Sequence, residues 1–184
     1  MSRASCSTAW ALPVIANRRA IQLYWGMPQE EILIRAFRPG DEAAFRTLNE
    51  AWITRLFALE PKDHLVLGDP QKYILTPGGQ ILLAERTGET VGCCALMRLD
   101  DASFELAKMA VAENAQGLGV GKKILAAAIE LARQLDTRRL YLETNSKLAP
   151  ALHLYEHFGF RTLPEESLPP SPYARADVRM ELKL

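Results

Sequence analysis

Apolar and polar positions along this chain switch between a period of two and a period near 3.6, and the switches divide it into elements. Ile32-Leu33-Ile34-Arg35-Ala36-Phe37 reads as a first strand. Pro39-Gly40-Asp41 is a turn that delivers Asp41 as an N-cap. Phe45, Leu48, Trp52, Leu56 and Leu59 then recur at helical spacing over residues 42–59, and Pro61 ends that helix. Residues 60–79 read as loop-rich, with a short helix near 71–75. Residues 81–86 and 90–98 are strands around the turn Thr87-Gly88-Glu89. Asp100-Asp101 turns the chain into another strand over 103–111. Three consecutive antiparallel strands are implied.

Past a glycine-rich stretch, Ile124, Ala128, Leu131 and Leu135 mark one apolar helical face. Residues 139–144 form a strand. Residues 149–158 form a helix that stops at Gly159, a natural residue for a helix end. Residues 160–163 and 177–183 are short closing strands, joined by the proline-rich stretch 164–172. This order predicts an α/β (α+β) fold: a mixed, mostly antiparallel sheet of six to seven strands with helices on both faces, in one domain over residues 30–184. Residues 1–29 stand apart. They contain Arg3, Arg18 and Arg19, no acidic residue and no sustained period. The composition has a transit-peptide flavour, and Met27 is an alternative start. The expectation is a disordered or loosely attached extension.

Composition narrows the function classes. The chain has 184 residues with 22 basic and 22 acidic side chains. One domain of that size buries a full core. Balanced charge supplies no field for nucleic acid or an anionic membrane, and no apolar run reaches the roughly 20 residues of a membrane span. Cys6, Cys93 and Cys94 make no disulfide framework and lack zinc spacing; as strand neighbours, Cys93 and Cys94 face opposite sides. A reducing, cytoplasmic setting fits them. His153 and His157 are four apart on one helix, but no third ligand accompanies them, so no metal is expected.

The chemistry concentrates in Gln116-Gly117-Leu118-Gly119-Val120-Gly121-Lys122-Lys123, which follows a strand and opens a helix. Bare backbone at a helix N-terminus is suited to a diphosphate. A P-loop would need glycine at position 116 and a hydroxyl after Lys122; Gln116 and Lys123 stand there instead. A dinucleotide fingerprint needs different glycine spacing and a parallel sheet. Gln116-x-x-Gly119-x-Gly121 does match the acetyl-CoA motif of the GNAT N-acetyltransferase superfamily. Glu105-Leu106-Ala107-Lys108-Met109-Ala110-Val111 resembles that family's fourth strand. Ala151-Leu152-His153-Leu154-Tyr155-Glu156-His157-Phe158-Gly159-Phe160 resembles its last helical motif. In one respect the chain departs from the pattern: Leu148 stands where many relatives carry asparagine.

The resemblance implies an acetyltransferase that moves the acetyl group of acetyl-CoA to a primary amine by direct attack in a ternary complex. It implies that backbone amides of the loop Gly117, Leu118, Gly119, Val120, Gly121 and Lys122 hold the CoA pyrophosphate, with Gln116 either fixing the loop or touching a phosphate. It implies that main-chain groups of Met109, Ala110 and Val111 hold the pantetheine arm. With Leu148 there, the CoA contact from that position is either lost or moved to Asn145. Glu105 would serve as general base and Tyr155 as the acid that protonates the departing thiolate. Glu143 is a second base candidate. Trp52, Phe57, His64, Tyr173 and Arg175 are candidates for the acceptor side. A small-molecule or peptide amine is the expected partner, and a homodimer is allowed. The alternative is a non-catalytic acyl-CoA sensor on the same fold, which would need neither Glu105 nor Tyr155.

Overall fold

A computed structural model of the chain describes residues 31–164 and 171–184. The expectations for residues 1–29, and for most of the proline-rich stretch, lie outside the described residues. Seven strands form one sheet: β1 (Leu33–Ala36), β2 (Gln80–Arg86), β3 (Glu89–Arg98), β4 (Ser103–Val111), β5 (Arg139–Thr144), β6 (Arg161–Thr162) and β7 (Val178–Lys183). Their order is β1-β2-β3-β4-β5-β7-β6, and β4–β5 is the parallel pair. The other pairs are antiparallel.

Four helices cover the sheet: α1 (Glu42–Leu56), α2 (Pro61–Gly68), α3 (Val120–Gln134) and α4 (Ala149–His157). The apolar stripe of α3 packs with Cys94, Leu96, Phe104 and Leu106 on one face. Phe45, Ile53, Val66 and Leu67 of α1 and α2 pack with Leu83, Cys93 and Ala95 on the other. The two adjacent thiols therefore point to opposite cores, as strand alternation requires. Burial pushes the Cys93 thiol up to about 12, so it behaves as a small apolar side chain.

Two local readings are corrected. Asp41 stands at the N-cap of α1 but makes no side-chain capping bond. Its carboxylate instead accepts from Arg35 at 2.6 and 2.8 Å and from the Arg38 amide at 2.6 Å. A guanidinium within reach competes successfully for those oxygens. Pro61 does not end α1, which stops at Leu56 with Phe57 as its C-cap. It starts α2, with Glu60 and Asp63 forming a capping box around it. A proline lacks the amide that a first helical turn leaves unbonded anyway, so it suits that position. Residues 71–75 do form a short helical turn, of π type.

Candidate functional site

The sheet opens where its parallel pair stops. β4 and β5 pair only over Ser103–Arg139, Phe104–Leu140 and Glu105–Tyr141. Beyond that the strands splay, and their facing edges have no ladder partner across the gap. A cavity of about 780 Å³ fills the splay, running from Glu105 and Glu143 to Gly119 and Lys122. Unpaired strand edges are costly unless something bonds them, so the splay calls for an extended polar ligand. One of these groups is already partly satisfied, because the Gln116 side chain donates to the Val111 carbonyl at 3.3 Å.

The far end of the cavity is the start of α3. Gly119 is its N-cap residue, in the left-handed region at φ 79°, and no side chain caps the helix. The first intrahelical bond there runs from the Lys123 amide to the Gly119 carbonyl. The amides of Val120, Gly121 and Lys122 thus have no helical acceptor. A Cβ on Gly121 would face Leu154, Met109 and Val111 at 3.5–3.7 Å, on the cavity side. This end fits a diphosphate: bare donors, a helix dipole and close backbone access. The Leu118 side chain is exposed and is not among the lining residues. Asn145 lines the cavity, but its Nδ2 donates to the Arg175 carbonyl at 2.6 Å and its Oδ1 accepts from the Lys147 amide at 2.9 Å. Both ends of that amide hold protein segments together.

Glu105 lies where the splay begins. Alternation puts it on the sheet face opposite Phe104 and Leu106, toward α2. Its carboxylate makes no hydrogen bond or ion pair with any described residue. Burial raises its pKa, Lys62 opposes the rise and Glu143 adds to it. A desolvated, unpartnered carboxylate is a stronger base than an ordinary one. Tyr155 enters from α4. Its ring packs on Phe160 with centroids 5.8 Å apart, and its hydroxyl donates only to Met109 Sδ at 3.8 Å. Burial pushes its phenol above the usual range, so the proton stays on the oxygen. Glu143 is more committed than Glu105: it accepts from Tyr141 at 2.9 Å and from Ser171 Oγ, and lies 3.8 Å from Arg179.

Trp52, Phe57, Tyr173 and Arg175 line the same cavity, whereas His64 is exposed on α2 and does not. A further cluster was not anticipated from the sequence. Asp63, fully buried, accepts from Lys108 Nζ at 2.7 Å and from both terminal nitrogens of Arg175 at 2.6 and 2.8 Å. Arg175 also donates to Glu60 at 2.9 Å. Lys108 reaches this face through a β-bulge: the β3–β4 register shifts between Cys93 and Ala95, and Lys108 has φ 51°. The extra residue re-aims the side chains that follow. Lys108 and Ala110 thereby join Glu105 on the α1–α2 side, and Met109 turns to the α3 side. The visible clue was a lysine at a position where simple alternation from Phe104 and Leu106 demands an apolar residue.

Burial alone would raise Asp63, but the hydrogen bonds from Arg175, Lys108 and the Glu60 amide outweigh it and hold the carboxyl at about 2. Asp63→Asn leaves buried Lys108 without a counterion and Arg175 with Glu60 alone. It should cost about 3–5 kcal/mol in urea unfolding at pH 7. Lys108→Met should cost less, since the Arg175 pair survives. A depressed carboxyl stabilises the fold above its unfolded pKa, so the Asp63→Asn penalty should shrink as pH falls from ~4 toward ~2.

Known proteins share this fold. A sequence model of the acetyltransferase (GNAT) family matches residues 41–160. The uncharacterized N-acetyltransferase YjgM of Escherichia coli K12 is 28% identical over 161 residues, covering 83% of this chain and 95% of that protein. The mycothiol acetyltransferase of Sanguibacter keddieii is 33% identical over 140 residues, covering 70% of this chain and 43% of that protein. Among solved structures, a GNAT-family acetyltransferase from Staphylococcus aureus Mu50 has the same fold, with TM-score 0.76 at 24% identity, covering 83% of this chain and 99% of that one. Another from Elizabethkingia anophelis, with acetyl-CoA bound, aligns with TM-score 0.56 at 24% identity, covering 85% of this chain and 100% of that one. The chain belongs to the GNAT family and is an acyltransferase.

Proposed function

We propose that the protein transfers the acetyl group of acetyl-CoA to a primary amine by direct attack, with both substrates bound together. The observation that carries this reading is the splay itself. It joins uncapped helix amides at one end to an unpartnered carboxylate at the other. Bound there, acetyl-CoA supplies an activated thioester carbonyl to an incoming amine. The first-turn amides of α3 hold the diphosphate, and the free edge of β4 near Met109, Ala110 and Val111 holds the pantetheine arm. Glu105 takes the proton from the acceptor nitrogen, directly or through a water. An amine of pKa ~10.4 is mostly protonated at neutral pH, and freeing it costs about 4–5 kcal/mol. Tyr155 holds a proton on its hydroxyl oxygen, ready for the departing sulfur.

No helix among the described residues is long and apolar enough to cross a membrane. A reducing cytoplasm suits the two buried thiols. No group of three or more His, Cys, Asp or Glu residues that could hold a metal occurs among the described residues.

Tyr155→Phe isolates the acid, because it keeps the ring packing and removes one hydroxyl. A thiol of pKa ~8.5 is already a fair leaving group, so kcat should fall roughly tenfold, below the ~10²–10⁴ range of strong acid–base catalysis. The KM for acetyl-CoA should stay unchanged in a thiol-release assay. An unaltered kcat would remove Tyr155 from the chemistry.

A further inference from the structure

The hydroxyl of Tyr173 neither holds the donor nor moves a proton in this mechanism, yet the residue is buried, 8% exposed, in the cavity wall. Its oxygen accepts a hydrogen bond from Lys108 Nζ at 2.8 Å. A phenol hydrogen prefers the ring plane and has two orientations there. An ammonium can only donate, so the phenol hydrogen is not spent on Lys108. No described residue accepts it. The hydroxyl of this buried tyrosine carries a hydrogen that no described residue uses, an arrangement that calls for a ligand oxygen.

The position is rigidly defined. Lys108 is anchored by Asp63, and the loop carrying Tyr173 is pinned to α2 through Arg175 and through the Ala174 amide, which donates to Glu60 at 2.8 Å. The Arg175 guanidinium lies 4.4 Å from the Tyr173 ring centroid and Lys62 Nζ lies 5.0 Å from it. The charges around this wall cancel: Lys62, Lys108 and Arg175 against Glu60, Asp63 and Glu105. Glu143 and Arg179 add one of each sign. No net field favours a carboxylate, so the donor suits a neutral oxygen. Trp52 and Phe57, which meet edge to face at 6.3 Å, line the same cavity and offer it large ring faces.

We infer that Tyr173 is a specificity residue for the acceptor: its hydroxyl donates to a neutral oxygen, a hydroxyl or an amide carbonyl, carried close to the reacting amine, while Trp52 and Phe57 receive an apolar body. The inference rests on the reading that the Glu105 end of the cavity takes the amine. Acceptors of this class are amino alcohols and amino amides with an apolar substituent, rather than simple alkylamines or free amino acids.

The test is a calorimetric titration of the full chain saturated with CoA, using 2-amino-1-phenylethanol and 2-phenylethylamine, which differ by one hydroxyl. Phenylalanine serves as the carboxylate-bearing probe. The wild type should bind the amino alcohol roughly tenfold more tightly than the plain amine, and phenylalanine more weakly than the amino alcohol. Tyr173→Phe also takes an acceptor from buried Lys108, so its melt should fall while its circular-dichroism spectrum and CoA affinity stay native; it should erase the tenfold preference and leave 2-phenylethylamine affinity as it was. Absence of the preference in the wild type, its survival in the variant, equal weakening of both amines, or no binding of either overturns the inference. Because binding is read, the two proposals separate. A wild type that shows the preference but transfers no acetyl group sinks the amine-transfer reading alone. Turnover without the preference sinks the Tyr173 role alone.

Discussion

Replacing Glu105 with glutamine should lower kcat/KM for an amine acceptor by roughly 10²–10⁴ at neutral pH, the range expected for loss of a general base. The substitution preserves shape and removes only the ability to take a proton. The site is built to make that ability count. Burial raises the carboxyl toward working pH, and no described hydrogen bond competes for its oxygens. The wild-type rate should therefore rise with pH as Glu105 loses its proton. In the variant that limb disappears, and the remaining rate should climb at high pH as more acceptor becomes neutral by itself. CoA affinity should hardly change. A Glu105→Gln enzyme with normal kcat and only a raised acceptor KM would make Glu105 a binding residue. Catalysis would then depend on an acceptor that arrives largely neutral, such as an α-amine of pKa ~8.

The glycine loop should give an equally large effect on binding. Gly119→Glu and Gly121→Glu each should weaken CoA by at least 10²-fold in a calorimetric titration. A like charge placed ~4 Å from the diphosphate costs about 4 kcal/mol at a partly buried site. The two glycines fail for different reasons. At Gly119 a Cβ would meet nothing within 4 Å, but φ is 79°, where an L-residue is strained by ~1–2 kcal/mol. At Gly121 a Cβ would make only ordinary contacts, so Gly121→Ala should fold normally. Its glutamate counterpart points into the splay. Unchanged CoA affinity in both glutamate variants would show that the diphosphate is held elsewhere.

Much of this fold was legible in the chain because its signals are local. Both strands of the splay, 103–111 and 139–144, were legible to the residue, but the interval pattern from Ile124 marked only part of the buried face of α3. Ile124 and Ala128 are buried, Leu131 is half-buried, Leu135 lies past the helix and is exposed, and Leu125, Ile129 and Ala132 complete that face. The misreading at Pro61 was a misreading of position. α1 already stops at Leu56, and a residue that cannot sit inside a helix is favoured at the start of one; Glu60 with Asp63 marked that start. The acid and base candidates were accessible through motif resemblance, not through periodicity. The ion cluster was not accessible at all. Asp63 is 45 residues from Lys108 and 112 from Arg175. Nothing local pairs groups so far apart. Lys108 reaches Asp63 only because a bulge reverses the alternation, and a bulge appears in the sequence merely as one charged residue on an apolar face. Tyr173 follows the same rule: its loop gains meaning only when Arg175 pins it to α2.

Thiol release tests the central claim most directly. Acetyl-CoA is mixed with the protein and a panel of primary amines, and free CoA is measured alongside the N-acetylated product. Direct transfer in a ternary complex predicts one CoA released per acetylated amine, with intersecting initial-rate lines when both substrates are varied. Tight acetyl-CoA binding without amine-dependent thiol release across the panel would contradict it, and would make the splayed cavity the binding site of a sensor.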